Sequence, residues 1–174
     1  MPQAVHDAER AVELVADDRS FQSSCDPLAF RARLHAELGA LHDARRRIVE
    51  LLDSWAETRS GYLDQWVLEA WYAAWRTDDE ARLAAQIKTM PPNPWLSAVA
   101  SLISRDFDSA ATLLEEMGAV SCAALARLWA SEWLVDHDQR LEARQFLGCS
   151  LAFWQSVNAS GYTRRGESLL AAAS

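Results

Sequence analysis

Apolar residues in this chain return at every third and fourth position, and nowhere do they alternate for long enough to make a strand. Ala44, Ile48, Leu51, Leu52 and Trp55 show the pattern most cleanly. Such a stripe covers one side of an α-helix and has to be buried against another helix. The same spacing aligns Leu125, Leu128, Trp129 and Trp133, and again Ala143, Leu147, Leu151 and Trp154. With only six glycines and five prolines in 174 residues, breaks are few, and each marks a turn. The expected fold class is all-α, with about ten helices. Asp26-Pro27 gives a start signal, with Asp as N-cap and Pro at the first helical position, and Gly39 gives the matching stop. A helix from about Pro2 to Asp17, with Ala8, Ala11, Val12 and Val15 on one face, and a polar loop over 18–25 precede that start. Asn93 is placed to cap the helix after Pro91-Pro92, and Ser160-Gly161 precedes a terminal capping helix at about 161–172.

The helices come in related pairs. Arg105 to Leu114 reads as a tight turn and a helix with Ala110, Leu113, Leu114 and Met117 on one face. Aligning the chain on the small residue near the start of that helix picks out Ala8, Ala44, Ala81, Ala110 and Ala143. Their intervals centre on the ~34 residues of one helical-repeat class, the shortest running from Ala81 to Ala110. At one common offset before Ala44, Ala110 and Ala143 stand Ala32, Ala98 and Ser131, all small, while Glu69 or Ala70 fills that place in the second full unit.

This register resembles the tetratricopeptide repeat. The family's helix-A tryptophan, its Leu-Gly pair and, apart from Pro91-Pro92, its closing proline are missing. The resemblance implies antiparallel helix-turn-helix units in a right-handed superhelix, forming one domain over 1–174. Residues 94–174, above all the runs Ala124 to Ala143 and Leu151 to Tyr162, further resemble the C-terminal repeat tail of actinobacterial nucleotide-cyclase and LuxR-type ATPase regulators. The cyclase, ATPase and DNA-binding activities of those proteins are not expected here. What the resemblance implies is the role of the tail, a sensor or docking surface in bacterial signalling. A start on what reads as the second helix of a unit fits a separated tail or a truncated relative.

Composition narrows the function. A net charge of −8 argues against binding to phosphates. The one basic run, Arg45-Arg46-Arg47, is flanked by Asp43 and Glu50 and reads as an ion-paired, solvated face. Three cysteines without C-x-x-C spacing suit a reducing cytosol. Cys122 and Cys149 are expected on buried faces. No apolar window of about 18 residues and no leader pattern appear, so the expected location is cytoplasmic, away from membranes.

Phosphate-loop, H-E-x-x-H and G-x-S-x-G patterns are missing. No catalytic residue, cofactor or metal ligand is therefore assigned. Adjacent His-Asp pairs at His6-Asp7 and His42-Asp43 point about 100° apart on a helix and do not converge. The Asp136-His137-Asp138 group reads as a turn, and His35 as a structural histidine.

Eight tryptophans are the chain's compositional oddity. If the first helix of each unit lines a concave groove, helical offsets put Arg33, Glu37, Trp71, Trp75, Trp95, Val99, Leu128 and Glu132 on or near it. Such a surface suits a protein or peptide partner. A small molecule or signal peptide in the same groove is the alternative, and an enzyme is the weakest reading. The rings of 62–95 serve equally well as groove lining or as core filling. An exposed terminal helix offers a contact for a second copy.

Overall fold

The computed structural model of the protein describes residues 2–14 and 20–173. Among these are ten helices and no strand. In chain order they are α1 (Pro2–Leu14), α2 (Phe21–Glu37), α3 (Leu41–Thr58), α4 (Trp66–Arg76) and α5 (Glu80–Ile87). Then follow α6 (Pro94–Ile103), α7 (Phe107–Glu116), α8 (Val120–Asp136), α9 (Arg140–Ser156) and α10 (Ser160–Ala172). The all-α expectation is met. The expected extension of the first helix to Asp17, and the start of the polar loop at 18–19, lie outside the described residues. The chain divides into two compact units, Met1–Val99 and Ala100–Ser174.

Each unit is organised on one helix that is covered nearly all round. In the first unit this is α4, where every residue from Trp66 to Ala74 is buried. A helix this apolar has no face to give to water. It packs against α2, α3 and α5, and α2 packs in turn on α1 and α3. The α3 stripe of Ala44, Ile48, Leu51, Leu52 and Trp55 is buried as its spacing requires. Trp66 meets Trp55 and Phe21 edge-on, with ring centroids 4.9 and 5.5 Å apart. Burying side chains of this size stabilises by about 2–3 kcal/mol each.

In the second unit the central helix is α8, packed against α7, α9 and α10. Ser150 ties α9 to it. Its hydroxyl donates to the Ala124 carbonyl at 2.8 Å and accepts from Trp154 Nε1 at 3.0 Å. Cys149, expected inside, is exposed, because the buried face of α9 runs through Ala143, Phe146, Leu147, Ser150, Leu151 and Trp154. Cys122 is buried as expected. Gly166 on α10 lies so close to Leu151 that an added Cβ would come within 2.7 Å of its side chain.

Six of the connections are the same turn. Gly39, Asp78, Arg105, Gly118, Asp138 and Asn158 each take a left-handed conformation, with φ between 56° and 77°. In each, the N–H of the next residue donates to a carbonyl in the last turn of the helix, over 2.8 to 2.9 Å. This is the Schellman closure. Only two of the six positions are glycine, so the geometry recurs where the sequence signal does not.

The turns also set a register. Counting equally from five of the six left-handed residues leads to Ala44, Leu83, Ala110, Ala123 and Ala143, none with any exposed surface, and from Asn158 to the half-buried Thr163. The expected counterpart Ala81 is exposed and lies two residues too early. Leu83 holds its place, because Asp78 and not an earlier residue makes the turn.

The start of α2 also departs from expectation. The helix begins at Phe21, and Pro27 sits inside it. Proline there costs one helical hydrogen bond, yet the extra turn buries Phe21 and Cys25. Ser23 N–H donates to the Ser20 carbonyl at 3.2 Å, and the Ser24 hydroxyl bonds the same carbonyl at 3.3 Å. Burial and these bonds outweigh the proline. The Asn93 cap is present as read, its side chain accepting from Trp95 N–H at 2.8 Å.

Candidate functional site

The second and third turns of α2, the segment entering α4 and the start of α6 surround an open cleft of about 620 Å3 within the first unit. Asp26, Pro27 and Phe30 come from α2. Asp64, Gln65, Trp66 and Glu69 come from the start of α4, and Trp95 from α6. Three aromatic residues and three carboxylates therefore meet around one concave surface, and among the described residues no lysine or arginine lines it.

Each acidic group has a distinct setting. Asp64 Oδ1 accepts from Trp66 N–H at 3.1 Å and so caps α4. Gln65 Nε2 donates to Glu69 Oε1 at 3.2 Å. Glu69 is almost wholly buried and pairs with Arg33, which also holds Glu37 at 2.9 Å. Burial raises the Glu69 carboxyl above its usual range, against the opposing pull of Arg33. Asp26 is pushed up to about 6, first by desolvation and then by the charge and hydrogen bond of Asp64. Tyr62 is pushed up to about 12 by its hydrogen bond to Asp64 and that residue's charge. The buried Cys25 thiol also rises to about 12, through burial and then the charge of Asp26. Desolvation leads at Asp26 and Cys25 and the Asp64 carboxylate leads at Tyr62, while neighbouring acidic charge adds to all three.

The groove residues expected from the sequence divide. Trp95 lines the cleft and is half-buried. Arg33 and Glu37 meet beneath it as the ion pair with Glu69, and the Arg33 guanidinium also lies 4.9 Å from the Phe30 ring centre. Trp71 has no exposed surface, and its Nε1 donates to Glu80 at 2.8 Å. Trp75, half-buried, stacks on Trp71 at 5.7 Å and carries the Arg76 guanidinium at 5.4 Å. Val99 is fully buried. In the second unit Leu128 is fully buried, and Glu132 accepts from Arg165 Nε at 2.6 Å, tying α8 to α10. Trp71, Val99 and Leu128 are thus core: neighbouring helices cover the faces that helical offsets alone leave open.

Sequence reasoning missed Asp26, Phe30, Asp64, Trp66 and Glu69 as cleft residues. The spacing of Asp26 and Phe30, i and i+4, was a usable signal. Taking Asp26 as the cap of a later helix hid it.

The other candidates resolve into local structure. Asp43 and Glu50 pair with Arg46 and Arg47 at 3.0 and 2.7 Å along α3, as the charge pattern requires. His137 stacks on Trp133 at 3.8 Å, and its Nδ1 lies 2.7 Å from the Trp133 carbonyl. Asp138 forms the left-handed turn and pairs with Arg140 at 2.9 Å. His35 is half-buried, and desolvation lowers its pKa. Among the described residues no three His, Cys, Asp or Glu side chains converge as a metal ion requires. Nor, among them, is any helix long and apolar enough to cross a membrane. No family model, curated protein or solved structure matches the chain.

Proposed function

We propose that the chain is a non-catalytic helical-repeat module that binds a protein or peptide, and that the partner lies in the cleft between α2, α4 and α6. The observation that carries this is the cleft itself. Phe30 and Trp95 supply rigid apolar area, and Asp26 and Asp64 supply polar anchors, on one open concave surface. The packing of α2 on both α3 and α4, together with the recurring turn, supports reading the hairpins as tetratricopeptide-like units of a right-handed superhelix. A role in bacterial cytoplasmic signalling rests on the resemblance of residues 94–174 to regulator tails.

The test separates cleft from core. A Trp95→Ala variant should keep its helical circular-dichroism signal and lose about tenfold or more in affinity for peptides selected on the whole chain. Trp71→Ala, which removes a fully buried ring, should instead lose about 3–5 kcal/mol of stability. Undiminished peptide binding by Trp95→Ala would refute the assignment. A small molecule that raises the melting temperature, with no peptide doing so, would favour a small-molecule sensor.

A further inference from the structure

We propose that the cleft selects a cationic side chain, an arginine ahead of a lysine, presented by an otherwise apolar stretch of the partner peptide. This rests on the peptide-binding reading above and adds what the cleft recognises. Asp26 stands exposed on the second turn of α2 and interacts with Asp64, which the capping bond to Trp66 N–H fixes at the start of α4. These two carboxyl groups, from separate segments, share one side of the cleft. Arg33, the cation beneath the floor, already serves Glu69 and Glu37 and adds nothing to the lining.

A guanidinium supplies what this arrangement lacks. Its planar fork can bond two carboxylates at once, which a compact ammonium does less well. Its aliphatic stem can lie along the accessible rings of Phe30 and Trp95, and its charge is favoured beside ring faces. The titrating groups around the cleft agree. Asp26, Asp64 and Tyr62 face one another from α2 and from the segment before α4, with Cys25 behind Asp26 and the Arg33-paired Glu69 on the floor. A bound cation would oppose the desolvation and the Asp64 charge that together hold the Asp26 carboxyl near 6. Binding therefore favours the ionised form, and affinity should fall as the pH drops from 7 to 5.

The experiment is selection of random phage-displayed peptides on the full chain at low salt, followed by titration of synthetic winners. Winners should carry arginine or lysine among apolar residues. Replacing that arginine with citrulline, its neutral isostere, should weaken binding about tenfold. Asp26→Asn should cost a similar factor, and on that variant the citrulline change should cost little more. Asp64→Asn is the second arm, since asparagine can still cap α4. Winners that bind through Trp95 without any basic residue, or a citrulline change costing less than about twofold, would overturn the cation proposal and leave the peptide reading standing. If no peptide is enriched, or the enriched peptides ignore Trp95→Ala, the peptide reading falls and this inference with it.

Discussion

Replacing Arg33 with methionine probes the polar floor of the cleft. In the folded chain Arg33 sits between Glu37 and Glu69, and all three side chains are nearly withdrawn from water. Removing the cation leaves the Glu69 carboxylate buried without its counter-charge, which typically costs about 3–5 kcal/mol. Against a total stability of about 5–15 kcal/mol, that is a large share. It should appear as a drop in melting temperature on the order of 10–20 °C. The pH dependence has a definite sign. Burial already raises the Glu69 carboxyl, so the folded state holds a proton there more tightly than the unfolded chain does. That preference favours the folded state at low pH and is lost as the pH rises through the folded pKa. Without Arg33 the preference is stronger, so the deficit of Arg33→Met should shrink between pH 7 and pH 5. The double variant Arg33→Met with Glu69→Leu should recover part of the loss, since it removes the stranded Glu69 charge while Glu37 still lacks Arg33. Urea unfolding followed by far-ultraviolet circular dichroism measures all of this. A loss below about 1 kcal/mol at pH 7, or a deficit that grows at pH 5, would refute a desolvated ion pair.

Two further predictions concern the scaffold. At Gly118 and at Gly148 an added Cβ would meet nothing within 4 Å, so packing predicts no difference between the two alanine variants. Backbone geometry predicts opposite signs: Gly118→Ala should cost about 1 kcal/mol at its φ of 77°, and Gly148→Ala should gain about 0.5–1 kcal/mol inside α9, both read by urea unfolding. Ser150→Ala removes the acceptor of the buried Trp154 N–H and the donor to Ala124, and should cost about 1–3 kcal/mol in the same assay, whereas Ser150→Thr should retain part of the bond.

The stripes on α3 and α9 were legible because their periodicity states directly which side of a helix turns inward. Asn93 was legible because capping depends on residues close in sequence. Trp71 was not. Its helical offset gives a direction, but whether that direction ends in solvent or in a neighbouring helix depends on chain far away in sequence. The cleft was missed for the same reason, since its lining comes from three helices and its two interacting aspartates are far apart in the chain. Ala81 failed as a register residue because the left-handed turn at Asp78 carries no glycine to announce it. Cys149 was misplaced by a single residue, which on a helix is enough to exchange inside for outside.

The recurring turn has a bearing on how such a chain can change over time. A joint that glycine, asparagine, aspartate and arginine all make at nearly the same φ imposes little on the residue that occupies it. Substitution can erase the written signature of each hairpin while the angle at which one helix hands over to the next persists. Hairpins joined in this way are interchangeable parts. One can be gained or lost whole, with the burden of accommodation falling on the packed faces and not on the hinge. Within the chain, the hairpin of α4 and α5 shows what that accommodation looks like. Leu83 stands where four of its counterparts are alanine, and at the offset where α2 has Ala32 and α8 has Ser131, α4 carries Trp71.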